Sequence, residues 1–232
     1  MIKENISRIK NTISEAGSRK NLDTASLRLV AVTKKVPAAA VIEAAGSGLT
    51  EIGENRVQEA QEKFARMGAH GGRLTKHLIG HLQTNKAKKA VELFDMIQSV
   101  DSARLAAEID RFAAAAGKVQ DCLAEVKVSE EPEKYGCPPG KLRELVEYIC
   151  GLKNMRLCGL MAIAPLLDTP EKTRPYFARV RELFDGTRQD FPGINAHFSI
   201  LSMGMTDDFV VAVEEGSNMV RLGRAIFGQQ NE

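Results

Sequence analysis

Lys34 is the residue of this sequence with the clearest chemical potential. It follows residues 27–33, a run of strand formers, and so lies at the carboxyl end of a predicted strand. A lysine that is partly desolvated there can have the pKa of its ammonium group lowered, as Schiff-base chemistry with an aldehyde requires. Lys35 comes next, and adjacent residues on a strand point to opposite faces. The pattern therefore leaves open which of the two faces inward, or whether both are solvated.

Two glycine-containing segments near the end of the chain form a second candidate site. Residues 202–206 precede a predicted helix, and residues 221–224 follow a predicted strand. Gly204 and Gly223 allow backbone N–H groups to approach a ligand, although each could also serve only a tight turn. Barrels of alternating strands and helices often bind phosphate in the loops after strands seven and eight. A lysine on the first strand facing these loops predicts a phosphorylated aldehyde as the ligand.

Other polar residues carry weaker signals. His77 and His81 are four apart, but on a strand this spacing does not make the helical histidine pair of zinc enzymes, and we expect no metal site. A hydrogen-bonded loop histidine is the more ordinary interpretation of His81. Asp207 and Asp208 fit the start of a helix, where the dipole stabilises carboxylates.

These residues must be positioned by alternating strands and helices. Eight strand–helix units predict parallel pairing and a closed (β/α)8 TIM barrel, with the polar residues gathered at the carboxyl ends of its strands. An open doubly wound sheet is the competing layout, but its G-x-G-x-x-G fingerprint is absent after the first strand. The predicted strands are 27–33, 50–53, 77–80, 96–100, 121–128, 156–163, 196–202 and 218–222, and the predicted helices are 2–20, 38–45, 57–67, 85–94, 102–116, 140–150, 169–188 and 206–215.

Composition places the chain among ordinary globular proteins. It has 232 residues, 44% of them hydrophobic, and 32 basic against 30 acidic side chains give a net charge of +2. We expect a single domain over residues 1–232. A net charge this close to zero does not indicate a basic surface for nucleic-acid binding. The four cysteines contain no C-x-x-C pair, and neither a signal region nor a membrane span is evident. The expected location is cytoplasmic, with no membrane partner.

Six ordered motifs resemble those of the pyridoxal phosphate homeostasis proteins. The resemblance extends from about residue 3 to residue 228, so nearly the whole chain takes part. The motifs are AVTK at 31–34, IGEN at 52–55, HLIGHLQTNK at 77–86, GLMA at 159–162, LSMGMTDD at 201–208, and VRLG at 220–223 followed by FG at 227–228.

The resemblance implies a barrel related to the N-terminal domain of alanine racemase, with pyridoxal 5′-phosphate (PLP) held as a Schiff base on Lys34. It also implies roles for seven further residues. Arg221 would face the pyridine nitrogen, Asn55 and Met161 would line the ring, Ser202 with the backbone N–H groups of Gly223 and Arg224 would hold the phosphate, and Lys134 would take part in cofactor exchange. Family members often have a small hydroxyl residue at the position of Arg224, so a hydroxyl contact there is not expected.

An arginine at the pyridine nitrogen bears on function. A guanidinium only donates hydrogen bonds, so Arg221 would keep that nitrogen unprotonated and weaken the ring as an electron sink. The sequence ends at Glu232 with no second domain, so we expect an exposed cofactor. We therefore expect a monomeric binding protein that sequesters PLP and delivers it to PLP-dependent apoenzymes.

Two enzyme alternatives remain open. The first is a weak amino-acid racemase that uses Lys34 with His81 or Lys134 as the opposing base. The second is a Schiff-base aldolase on the same barrel that uses no cofactor. The residues that resemble the family's pyridine contact argue against this second alternative.

Overall fold

Eight parallel β-strands pair in sequence order and close into a barrel in the computed structural model, which describes residues 1–129, 131 and 135–228. The closing pair is β1 with β8, where Val30 lies opposite Arg221. The predicted (β/α)8 barrel is confirmed. The strands are β1 Arg28–Val32, β2 Glu51–Glu54, β3 Thr75–Leu78, β4 Met96–Val100, β5 Gln120–Val126, β6 Met155–Ala162, β7 Ile200–Ser202 and β8 Met219–Leu222.

Helices alternate with these strands along the chain. In the described residues they are α1 Ile2–Arg19, α2 Ala38–Gly46, α3 Val57–Met67, α4 Ala87–Leu93, α5 Ala103–Ala115, α6 Leu142–Cys150, α7 Arg174–Asp190, α8 Phe209–Glu214 and α9 Arg224–Phe227. The short helix α9 follows β8 where the sequence predicted none. None of the helices that the structure describes is both long enough and apolar enough to cross a bilayer.

Several element boundaries differ from the predictions, and those of β3, β7 and α7 have a clear structural reason. β3 begins at Thr75, two residues before the predicted start, because polar Thr75 and Lys76 pair with β2. β7 is limited to Ile200–Ser202, since a turn over residues 195–197, directly after a 3-10 helix at Pro192–Ile194, occupies the start of the predicted strand. α7 begins at Arg174, after a separate 3-10 turn at Pro170–Thr173.

The main apolar core lies between the strands and the surrounding helices. In α1, Ile6, Ile9 and Ile13 recur at helical spacing and are buried in one cluster with Val220 and Leu222 of β8. Such a one-sided apolar stripe is what attaches a helix to a barrel wall.

The barrel interior combines an apolar cluster with polar side chains. Val30, Met96, Leu123 and Met219 belong to that cluster. Several polar residues of the strands are buried as well, namely Glu51, His77, Gln98, Ser202 and Arg221. This polar content sets the environment of the site at the carboxyl ends of the strands.

Candidate functional site

A cavity of about 360 Å³ opens at the carboxyl ends of β1, β6, β7 and β8. Four of the predicted site residues line it, namely Lys34, Arg221, Gly223 and Arg224. Lys34 follows β1 and the other three belong to or follow β8, so the pairing of the first and last strands brings them together. The remaining wall includes Thr206 and Asp208 from the loop after β7.

A turn after β1 decides which of the two lysines lines this cavity. The strand ends at Val32, and the N–H of Val36 donates to the carbonyl of Thr33 at 2.9 Å, closing the turn. Lys35 has a φ of 59°, in the left-handed region that non-glycine residues seldom adopt. Both lysines are exposed, yet only Lys34 contributes to the cavity wall. Strand alternation does not reach these residues, so the sequence argument could not choose between them.

A buried cluster fixes the backbone immediately before Lys34. The hydroxyl of Thr33 donates to Glu54 Oε1 at 2.6 Å, and Lys63 Nζ lies 2.6 Å from the same oxygen. Lys63 also donates to the carbonyl oxygen of Thr33. Glu54 is fully buried, so the ammonium group of Lys63 balances its charge. Lys63 was not among the predicted site residues, although its place three residues after buried Ala60 on α3 indicates a side chain on the inner helix face.

Arg221 is the buried cation of the cavity wall. Only 3% of the residue is exposed. Its Nη1 donates to Ser202 Oγ at 2.6 Å and its Nη2 to the carbonyl of Ala162 at 2.9 Å. Burial lowers the pKa of Arg221 to about 10, and the carboxylates of Glu125 and Asp208 oppose that change. The guanidinium therefore keeps its charge at neutral pH.

Two predicted site residues lie in the barrel interior instead of on the cavity wall. Ser202 is fully buried, and its hydroxyl is engaged by Gln98 Oε1 at 2.8 Å and by Arg221. Met161 is also fully buried, within the interior apolar cluster. The hydroxyl of Ser202 is therefore engaged within the barrel interior, where it supports Arg221.

The loops after β7 and β8 offer the polar groups of the opposite wall. In the described residues, the backbone N–H groups of Gly223 and Arg224 donate no hydrogen bond. The hydroxyl of Thr206 lies on the same wall and accepts a long hydrogen bond of 3.4 Å from the N–H of Ala225. At the mouth, the side chain of Arg224 forms an ion pair with Asp207. Free N–H groups, a hydroxyl and a cation are the groups that bind phosphate in proteins.

Asn55 lies in a second, adjoining cavity of about 270 Å³. This cavity shares Ile163 with the first, and Glu125 and His81 also contribute to its wall. Burial raises the pKa of Glu125 to about 7, with a contribution from Asp101, while Arg221 opposes the change. A carboxyl group of this pKa is partly protonated at neutral pH and can both donate and accept a hydrogen bond.

His81 has two neighbours at the rim of the second cavity. Its ring stacks on Tyr135 with 3.6 Å between the centroids, and its Nδ1 lies 3.5 Å from Asp101 Oδ2. The loop interpretation of this histidine agrees with these contacts. Lys134, the predicted exchange lysine, lies outside the described residues. Among the residues that the structure describes, no cluster of three or more His, Cys, Asp or Glu could hold a metal ion.

Comparison with known proteins identifies the family. Residues 2–231 match the model of the alanine racemase N-terminal domain. A pyridoxal phosphate homeostasis protein of Aquifex aeolicus is 40% identical over 227 residues, covering 98% of this chain and 97% of that protein. This chain belongs to the pyridoxal phosphate homeostasis protein family.

Solved structures of a family member agree with the barrel. PipY of Synechococcus elongatus without PLP superposes with a TM-score of 0.87 at 39% identity, covering 98% of this chain and 100% of PipY. The structure of PipY with PLP bound gives a TM-score of 0.85 at 38% identity over the same shares of both chains. The resemblance of the sequence motifs to the pyridoxal phosphate homeostasis proteins is therefore confirmed.

Proposed function

We propose that this chain binds PLP in the cavity between β1 and β8 and serves PLP homeostasis by sequestering the cofactor and delivering it. The observation that carries the proposal is the meeting of Lys34, Arg221 and the free N–H groups of Gly223 and Arg224 in one cavity. An amine, a fixed cation and phosphate donors match the aldehyde, the pyridine nitrogen and the phosphate of PLP. The relatives named as pyridoxal phosphate homeostasis proteins and the PLP-bound PipY structure support it.

Each residue of the wall has a role in this proposal. When bound, PLP supplies a reactive aldehyde, with which Lys34 forms a reversible covalent Schiff base. The N–H groups of Gly223 and Arg224 and the hydroxyl of Thr206 hold the phosphate. Arg221 donates to the pyridine nitrogen, and Ser202, which the resemblance places at the phosphate, also accepts a hydrogen bond from Arg221 and positions it. Asn55 and Met161 line the approach to the ring from the second cavity and from the interior.

The charge of Arg221 favours binding over turnover. Because its pKa of about 10 keeps the guanidinium protonated at neutral pH, Arg221 can only donate a hydrogen bond to the pyridine nitrogen. It cannot accept a hydrogen bond from a protonated pyridine nitrogen, so the nitrogen stays unprotonated. An unprotonated pyridine withdraws electrons weakly, which disfavours strong carbanion chemistry such as transamination. PLP-dependent apoenzymes are the proposed recipients, and Lys134 is the proposed exchange residue.

The proposed setting of this function is a cytoplasmic monomer. Cys122, Cys137, Cys150 and Cys158 are free thiols in the described structure, which suits a reducing compartment. Size-exclusion chromatography with light scattering, with and without PLP, tests the oligomeric state.

Borohydride trapping tests the PLP site. We expect purified protein with PLP to show a visible absorption band that borohydride removes, and peptide mass mapping to place the reduced adduct on Lys34. Lys34→Ala should abolish the adduct with little change in stability, because this side chain is exposed. Lys35→Ala is the matched control, one residue away and outside the cavity wall, and should retain the adduct. An adduct that persists in Lys34→Ala at another lysine would contradict the assignment.

An assay of α-proton exchange with the PLP-loaded protein distinguishes a PLP carrier from a racemase. Incubation with a panel of amino acids in heavy water should give no exchange of the α-proton. Exchange that depends on Lys34 would instead support the racemase.

A further inference from the structure

Charged and polar side chains connect the amino-terminal end of the barrel with its interior. Arg28, the first residue of β1, donates from Nε to Glu51 Oε1 at 2.8 Å. Glu51 Oε2 lies 3.0 Å from His77 Nε2, although the ring N–H does not point straight at that oxygen. Burial alone would raise the pKa of Glu51, but His77 and Arg28 lower it overall. Glu51 is therefore a carboxylate anion at neutral pH.

The same series continues across the barrel to the cavity. His77 Nδ1 lies 3.0 Å from Gln98 Nε2, and Gln98 Oε1 accepts from the hydroxyl of Ser202 at 2.8 Å. Ser202 in turn accepts from Arg221 at 2.6 Å. His77, Gln98 and Ser202 are fully buried. Residues of six strands thus form one series, from Arg28 to Arg221, which we call the interior chain.

Donor chemistry gives the interior chain a single direction. Arg221 can only donate, so Ser202 accepts from it and is free to donate its own proton to the carbonyl oxygen of Gln98. The amide nitrogen of Gln98 then faces His77 Nδ1, which must accept. A neutral His77 therefore carries its proton on Nε2, facing the carboxylate of Glu51. Between Arg221, which can only donate, and the carboxylate of Glu51, which can only accept, the direction of each donor is fixed.

We propose that Gln98 and His77 are positioning residues that hold the guanidinium of Arg221 against the cavity assigned to PLP. This inference rests on the proposed function for the identity of the ligand. Asp208, and Glu125 in its ionised form, attract the same guanidinium. A Ser202 hydroxyl kept in the accepting orientation by Gln98 holds Arg221 against that attraction.

Stability alone does not account for the interior chain. The interiors of such barrels are ordinarily filled by layers of branched apolar side chains. An apolar cluster that includes Val30, Met96 and Leu123 occupies part of this same interior. Buried polar networks cost free energy unless every member is hydrogen-bonded. Polar residues on six strands therefore indicate a functional role, which is to position Arg221 at the cavity.

Nitrogen-15 NMR of the protein without PLP tests the chain directly. We expect the signals of a His77 ring protonated at Nε2, and guanidinium N–H groups of Arg221 that exchange slowly with water. Gln98→Met replaces the amide with a side chain of similar volume that cannot form either hydrogen bond. We expect this variant to lose the single His77 tautomer and to speed the Arg221 exchange at least tenfold.

Gln120→Met is the matched control. Gln120 is also a fully buried glutamine of a barrel strand, but it donates to the carbonyls of Asp95 and Asp121 and takes no part in the interior chain. In PLP titrations we expect Gln98→Met to raise the Kd about tenfold, as for loss of a hydrogen bond to a charged group. We also expect it to shift the visible band of bound PLP. Gln120→Met should leave the Kd, the band and the Arg221 exchange unchanged.

Three results would overturn the inference. These are a wild-type His77 protonated on Nδ1, an Arg221 exchange rate unaffected by Gln98→Met, and equal effects of the two methionine variants on the PLP band. If Gln98→Met does not fold, Ser202→Ala interrupts the chain one residue nearer to Arg221, and we expect it to speed the Arg221 exchange and to leave the His77 tautomer unchanged. If the wild-type protein binds no PLP, the proposed function fails, while the NMR measurements still decide whether the chain positions Arg221.

Discussion

At the scale of single residues, the pKa values of two buried groups at the site, Arg221 and Glu125, depend on burial and on the charges beside them. Arg221 remains a cation although only 3% of the residue is exposed, because Ser202 and the carbonyl of Ala162 accept hydrogen bonds from it and the carboxylate of Asp208 attracts its charge. Glu125 is the complementary case. Burial and the carboxylate of Asp101 both raise its pKa, and the attraction of Arg221 does not offset them. Its charged form is therefore the disfavoured one.

Glu125 gives the fold a measurable pH dependence. Its pKa rises from 4.5 to about 7 on folding. The folded protein therefore keeps a proton that the unfolded chain loses in this range, so stability present below about pH 4.5 is lost as the pH rises through 7. Relative to Glu125→Gln, we expect the wild-type free energy of unfolding to fall by about 3 kcal/mol across this window. Urea denaturation of both proteins at several pH values measures it, and parallel curves would contradict the expectation.

At the scale of elements, the loop between β7 and α8 carries the backbone constraint closest to the cavity. Gly204 has a φ of 96°, and its carbonyl accepts from the N–H of Arg221 at 3.0 Å. A Cβ atom there would lie 2.6 Å from the Cβ of Ala212 and 3.0 Å from the Cα of Phe209. Only glycine fits both the backbone conformation and the space, so the motif LSMGMTDD needs a glycine at this position for packing as well as for ligand approach.

A pair of alanine substitutions separates the two effects. Gly48 has a φ of 88°, but no atom lies within 4 Å of the position that a Cβ atom would take there. We expect Gly48→Ala to lower the free energy of unfolding by about 1–2 kcal/mol through backbone strain alone. Gly204→Ala should cost about 1–3 kcal/mol more, since overpacking is added. Chemical denaturation measures both, and equal costs would show that α8 moves away without penalty.

At the scale of the whole molecule, the junctions between neighbouring strands, here called seams, differ in length. β5 and β6 pair over seven residue positions, from Gln120 with Met155 to Val126 with Ala162. β7 and β8 pair through Ser202 with Met219. The cavity lies beside this short seam, which has the shortest regular strand pairing of the described barrel. Local opening is expected where strand pairing is sparse.

Hydrogen exchange should show this asymmetry. Without PLP, we expect the amides of β5 and β6 to exchange more slowly than those of β7 and β8. Saturating PLP should slow exchange most in β7, β8 and the turn after β1, because the ligand contacts groups on both sides of the short seam. At a hundred times the Kd, the stabilisation is about 2.7 kcal/mol. Mass spectrometry of exchanged peptides measures the pattern, and a uniform effect on all strands would contradict it.

The sequence by itself determined the barrel, because a period of two in the strands and of 3.6 in the helices is a local property that each segment carries. It also determined that Lys34 and the segments around 204 and 223 share the carboxyl end of the strands, since parallel strands all end on one face. Boundaries such as the start of β3 were less accurate, because Thr75 and Lys76 become strand residues only by pairing with β2.

Only the tertiary structure decided which side chains meet. The turn at Lys35 selects Lys34 for the cavity, and Ser202 turns inward to Arg221. Lys63 pairs with Glu54 across nine residues of chain, and Ser202 with Gln98 across 104. The Lys63 contact depends on the packing of α3 against β2, and the Ser202 contacts depend on the closure of the barrel, which brings distant strands around one interior. Each strand carries its own polar residue, but only closure joins those residues into a chain that ends at Arg221.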